Sequence, residues 1–239
     1  MQVCGRLFMK RMQVLGIELK DYTVREAMRM VDEFLRDAKV NTVSFLSMED
    51  LMNAGEDEDL KNRLSAIDLM IPTSAQILQA AGIAGRGRLS EVEEGKFYHE
   101  LLKKISNEKR TAFILTGKED AIEPFAQYLQ EAAPGLKIVG TYAFETLTGD
   151  PDVIVNEINS TFPDLVLSKL TEPEQESFVY EHNTKLNAKL WVALKDEVTK
   201  ARFGQAKKGG KLRELIRSKL FLRRVSRFTN EQENKGENS

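Results

Sequence analysis

The sequence predicts an α/β fold: a mostly parallel, Rossmann-like sheet of about six strands flanked by helices, with a basic helical appendage near its C-terminal end. Three observations carry this. Short apolar runs at 40–46, 67–71, 111–116, 136–142, 164–170 and 188–194 alternate with stretches of helical spacing, and parallel neighbours require such crossovers. Residues 111–142 spell one complete βαβ unit. An apolar run ends in Thr116-Gly117-Lys118, an amphipathic stretch follows, and Pro134-Gly135 leads into the next run. Charge is segregated too, since 199–228 holds eleven Lys or Arg against one acid, a local balance of +10 in a chain of net charge −2.

Each element has a local cause. Thr23 with Glu26 three residues on forms a capping box, and Val24, Ala27, Met28, Val31, Phe34 and Leu35 recur at helical spacing, which predicts a helix over 23–36. The run 40–46 is a strand, and Ser47 opens a helix behind it. The run 67–71 is a short buried strand that ends at Pro72. A helix is expected over 74–84, then a mobile glycine-rich loop over 82–90. Phe97, Leu101, Leu102 and Ile105 mark the helix that leads into the strand at Thr111. Further helices are expected near 153–159 and over 173–186. Residues 229–239, without an apolar side chain, are expected to be disordered. The organisation is therefore an α/β domain over 13–198, a basic amphipathic appendage over 199–228 and a disordered tail over 229–239.

Composition excludes several classes. With 239 residues the chain buries a full core without staples, and its one cysteine, Cys4, forms no internal disulfide, as expected in a reducing cytoplasm. No apolar run approaches the length that spans a bilayer, and residues 1–12 lack the apolar centre of a signal peptide, with Met9 or Met12 equally suited as the start. His99 and His182 stand far apart in helical contexts and read as surface residues, so no metal site is expected. Trp191 reads as a core residue. Thr116-Gly117-Lys118 could accept phosphate through its backbone N–H groups, but by itself it is a weak motif, a common tight turn with one glycine.

In the appendage, Leu212, Leu215, Ile216 and Leu220 form one apolar stripe, and Phe221, Leu222, Val225 and Phe228 form another displaced around the helix, which suggests a kink near Leu220 or a change of docking partner. The interleaved arginines suit an anionic lipid surface, while few exposed aromatics and no recognised module argue against nucleic acid.

The order and wording of these elements resemble the WecB/TagA/CpsF family of bacterial glycosyltransferases. The likeness is carried by Val14-Leu-Gly-Ile-Glu-Leu19, Asp68-Leu-Met-Ile-Pro72, the unit 111–142, Asp164-Leu-Val-Leu167 and Pro173-Glu-Gln-Glu176. The resemblance implies transfer of a sugar from a UDP-sugar to a lipid-diphosphate-linked acceptor in cell-surface polysaccharide or teichoic-acid-type synthesis, without a cofactor, at the inner face of the cell membrane. It implies that Gly117 and Lys118 hold phosphate, that Gln175 and Glu176 contact donor or acceptor, and that Arg223 and Arg224 neutralise the lipid diphosphate. Thr73 stands where the family places its proposed catalytic Asp, which leaves Glu49 as the nearest substitute base by motif position. Phe45 and Ser47 replace polar pocket residues, and Lys169, Thr171, Glu172 and Glu174 replace a glycine-rich phosphate turn. The alternative is a catalytically silent relative acting as a binding or regulatory subunit, paired with an active paralogue or with membrane-bound polysaccharide machinery; a homo-oligomer is the other partner expected.

Overall fold

The computed structural model describes residues 11–171, 174–195, 198–199 and 208–237, with side chains described for 215–232 of the last segment. Its centre is a six-stranded, wholly parallel sheet of order β4-β3-β8-β7-β5-β6: β3 (Asn41–Leu46), β4 (Leu69–Pro72), β5 (Thr111–Thr116), β6 (Lys137–Ala143), β7 (Leu165–Lys169) and β8 (Leu190–Ala193). The expected α/β architecture and strand count are therefore found. A small antiparallel hairpin, β1 (Arg11–Val14) and β2 (Ile17–Lys20), was not foreseen. Its two turn residues, Leu15 and Gly16, have φ of 53° and 79°, the mirror-image geometry that matches hairpin twist. Met12, Val14, Ile17 and Leu19 alternate inward, so one face of the hairpin is core.

The sheet separates two apolar layers by strand alternation. Val43, Phe45, Ile114, Leu167 and Val192 face α1 (Val24–Phe34), α6 (Lys96–Asn107) and α7 (Ile122–Ala132). Phe113, Leu115, Val166 and Trp191 face α8 (Asp152–Thr161) and α9 (Glu174–His182). Trp191 is fully buried and stacks on Phe178, as expected of a core residue. A third cluster joins the hairpin to α2 (Met48–Ala54), α3 (Glu58–Ser65) and α4 (Ala75–Ala80).

At the amino ends of the strands the same device appears twice. Asp68 accepts hydrogen bonds from the Thr42 backbone N–H (2.8 Å) and hydroxyl (2.9 Å), and Asp164 accepts from Thr111 in the same way at 2.9 and 3.1 Å. Each aspartate precedes one strand and clamps the start of its neighbour. These residues therefore set register at the edge of the sheet away from the strands' carboxyl ends. The capping box of α1 is formed as read: the Thr23 N–H donates to Glu26 at 2.9 Å and the Glu26 N–H donates back to Thr23.

Four expectations need correction. The segment read as a mobile glycine loop contains a helix, α5 (Arg86–Glu93). Gly82 and Gly95, with φ of 74° and 60°, close α4 and open α6, so the glycines punctuate a helix. Leu89 and Val92, three residues apart, dock α5 on the hairpin cluster. His182 is buried against Phe178, 3.4 Å from Asp152, and is not a surface residue. The basic appendage contains one unbroken helix, α10 (Lys208–Glu237), with no break at Leu220. That helix also continues through Thr229–Glu237, where disorder was expected. The Asn, Gln, Glu and Lys residues there are compatible with a helix already nucleated upstream by docking. Cys4, Glu172, Pro173 and residues 200–207 lie outside the described residues, as does the side chain of Leu212.

Candidate functional site

All six strands point their carboxyl ends the same way, and open parallel sheets place ligands there. Two regions lie on that side. The first is a pocket of about 310 Å³ beyond β3 and β4. Its floor is aromatic: the Phe45 ring lies 5.8 Å from Phe97 and meets Tyr98 edge-on at 5.7 Å, while Tyr22 comes from the turn before α1. Thr73 follows β4 directly, and both its N–H (2.9 Å) and its hydroxyl (3.1 Å) donate to the Leu46 carbonyl. Helix α5 closes one side with Arg88 and Glu91, and α6 contributes His99. Arg88 donates to Asp21 at 2.8 Å and lies 3.4 Å from Glu91, so its charge ties α5 to the end of the hairpin. Burial, with the Glu26 charge adding to it, pushes the Tyr22 phenol above its ordinary value, so Tyr22 is a neutral donor at physiological pH.

The second region is the topological switch between β5 and β7. From β5 the chain moves out to β6, whereas from β7 it returns to β8, so their carboxyl ends part. The Thr116–Lys118 turn lies here, as the βαβ reading expects. The Gly117 N–H donates to the Lys169 carbonyl at 3.2 Å, and the Thr116 hydroxyl donates to the Lys118 carbonyl at 2.8 Å. The next amide, of Glu119, donates to the Glu145 carboxylate at 2.7 Å. A carboxylate of the chain itself thus sits at the helix start where an external anion would be held, and Glu119, Asp120 and Glu123 add negative charge.

Gln175 and Glu176 open α9 but point inward. Gln175 is fully buried: its side-chain oxygen accepts from the Ser168 hydroxyl (2.7 Å) and the Leu170 N–H (2.9 Å), and its amide donates to the Ser168 carbonyl at 3.2 Å. Glu176, 1% exposed, lies 3.1 Å from the Lys195 ammonium, which also reaches Asp50 at 3.3 Å. The α9 start, the end of β8 and the start of α2 are therefore joined through one half-buried lysine.

Glu49 stands in the first turn of α2, outside the aromatic pocket, and pairs with Arg217 of α10 at 3.3 Å. Arg224 pairs with Glu56. Both partners advance by seven residues, so α10 runs parallel to α2, two helical turns in register. Ser218, Phe221, Val225 and Phe228 form the docked stripe, and Phe221 is wholly buried. Arg223 and Arg224 lie beside Glu56, Gly55 and Leu15, toward the end of α2 remote from the carboxyl ends of the strands.

Of the residues read as functional, only Thr73 lines the aromatic pocket. Gly117 and Lys118 lie at the switch, Gln175 and Glu176 are interior, and Glu49, Arg223 and Arg224 follow the α2–α10 seam. Tyr22, Arg88, Glu91 and His99 were not foreseen at the site. The spacing of Leu89 and Val92 was the available signal for α5; nothing in the sequence marks Tyr22 or His99 as pocket residues.

Residues 12–195 match the model of the Glycosyl transferase WecG/TagA/CpsF family. The chain is also similar to the N-acetylglucosaminyldiphosphoundecaprenol N-acetyl-beta-D-mannosaminyltransferase of Bacillus subtilis strain 168, at 24% identity over 147 residues, covering 61% of this chain and 57% of that protein. An identically named protein of Bacillus spizizenii matches at 23% over 119 residues, covering 50% of this chain and 46% of its own length. The chain thus matches about half the length of these curated relatives.

Proposed function

The chain belongs to the Glycosyl transferase WecG/TagA/CpsF family, and on that premise we propose that it transfers a sugar from a UDP-sugar to a lipid-diphosphate-linked sugar during cell-wall polymer synthesis. The observation that carries this reading is the position of the aromatic pocket: beyond the carboxyl ends of β3 and β4, with Thr73 in its lining and every lining residue but Val198 inside the matched region. The Thr73 hydroxyl and the Tyr22 phenol are neutral groups suited to sugar hydroxyls. Thr73 accepts no proton near neutral pH, and we assign the role of base to His99, whose imidazole stands on the pocket wall. Binding of a short-chain N-acetylglucosaminyl-diphospholipid to the full chain, followed by calorimetry, tests the site. Thr73→Trp, which places a bulky ring in the pocket, should abolish it. Unchanged binding would move the site elsewhere.

A second reading is favoured by one set of contacts. Gln175, Glu176 and the Glu119 amide are all engaged by the chain itself. A relative that binds the acceptor without transferring sugar, beside an active paralogue, accommodates this. Acceptor binding without turnover supports that reading over the first.

The work site of the proposed transferase is the inner face of the membrane. No helix among the described residues is long and apolar enough to cross a bilayer. On the side of α10 away from its docked stripe, Leu215, Ile216 and Leu220 are each more than half exposed, interleaved with exposed Lys219, Arg223 and Arg227. Such a face suits shallow insertion into an anionic leaflet, where each basic group contributes on the order of 1 kcal/mol. Replacing Leu215, Ile216 and Leu220 together with serine should lower sedimentation with phosphatidylglycerol vesicles several-fold, and added salt should weaken what remains. Equal sedimentation of variant and parent would assign the face another role.

A further inference from the structure

We propose that the outer edge of β6 pairs antiparallel with β6 of a second copy of this chain, joining the two sheets into one. The two edges of the sheet differ. β4 has four residues and ends in Pro72, which brings no N–H to an edge. β6 runs seven residues, carries Ile138, Val139, Thr141 and Tyr142, and pairs on one side with β5. Beyond a bulge at Val139 the ladder to β5 is regular over Gly140–Ala143. The outer backbone groups of that stretch have no strand partner among the described residues, which is the template for strand addition.

Exposed apolar side chains gather at the same edge. Outside α10, the exposed large apolar residues among those described are Val139, Val153, Phe162 and Tyr180. Val139 lies on β6, while Val153 and Phe162 lie at the start and the C-cap of α8, the helix packed on β6. That packing is close, since a Cβ at Gly140 would stand 3.1 Å from the Thr161 methyl. Phe162, the next residue, therefore lies beside the edge with 73% of its surface exposed. Its φ of 48° is unfavourable for so bulky a side chain, so neither its exposure nor its backbone is compensated within one chain.

Charge selects the occupant and the direction. Lys137 is the one charged residue of β6, and the strand ends beside Glu119 and Glu145, where the Glu119 N–H donates to the Glu145 carboxylate at 2.7 Å. A two-fold axis sets equal strands antiparallel, so each lysine approaches the acidic end of the other copy. Parallel pairing would set lysine beside lysine.

Sedimentation velocity and light scattering on the full chain test this. The parent should have twice the mass of one chain, and so should the variant with Leu215, Ile216 and Leu220 replaced by serine, which removes association through α10. Thr141→Lys with Phe162→Asn, both at exposed positions, should halve the mass while circular dichroism is unchanged. A parent that is monomeric at its highest soluble concentration overturns the proposal, and so does a dimer that survives both substitutions. As an independent measure, Thr141→Cys in a Cys4→Ser background should cross-link two copies through a short bismaleimide, because Thr141 lies near the two-fold axis. Absence of that cross-link also overturns it.

Discussion

Lys195→Met should destabilise the protein by about 3–5 kcal/mol, because removing one partner leaves buried charge uncompensated. The ammonium lies 3.3 Å from Asp50 and 3.1 Å from Glu176, and those carboxylates are 3% and 1% exposed. Asp50 is also committed locally, since it accepts from the Ser47 N–H at 2.8 Å while Ser47 caps the Asp50 N–H at 3.1 Å. Methionine fills similar volume without charge, so the effect isolates electrostatics from packing. Adding Glu176→Gln should recover part of the loss, as one buried carboxylate is neutralised. Urea unfolding of the three proteins measures this. A loss below about 1 kcal/mol, typical of exposed pairs, would mean that water reaches the cluster.

Phe221→Ala should cost about 3–5 kcal/mol, the usual range for a buried phenylalanine. Its ring is fully buried beneath α10 and belongs to the cluster built from Leu46, Leu51, Ile77 and the hairpin. The ion pairs at Glu49 and Glu56 are exposed and contribute little by themselves. Docking of α10 therefore depends on Phe221 with Val225 and Phe228, and the arginines fix its direction and register. Hydrogen exchange should show α10 opening before the sheet in the variant. Equal protection of α10 in variant and parent would place its docking energy elsewhere.

These residues show what the sequence could carry. The six strands, the Thr23 capping box and the crossover helices were legible because their causes are local: alternation, spacing and end chemistry. The hairpin was missed because its turn places Leu15, not a glycine, at positive φ, and four-residue strands give little period to read. Helix α5 was hidden by Gly85 and Gly87, which look like loop residues, although its fixing contacts are tertiary: Arg88 to Asp21 lies 67 positions apart. The docked stripe of α10 was present in the sequence as two competing stripes, and only the partner surface selects Phe221, Val225 and Phe228 over Leu215, Ile216 and Leu220. Site residues were hardest for the same reason. Motif position put Gln175 and Glu176 at a ligand, whereas Ser168 and Lys195, strand-end residues brought close only by folding, turn them inward.

Turnover decides the function most directly. The full chain incubated with UDP-N-acetylmannosamine and a short-chain N-acetylglucosaminyl-diphospholipid should yield the lipid-linked disaccharide, seen by mass spectrometry. His99→Asn should lower the rate by about 10²-fold, within the usual contribution of a general base. No disaccharide from the parent protein, under conditions where the acceptor binds, would contradict transfer by this chain and leave acceptor binding as its role.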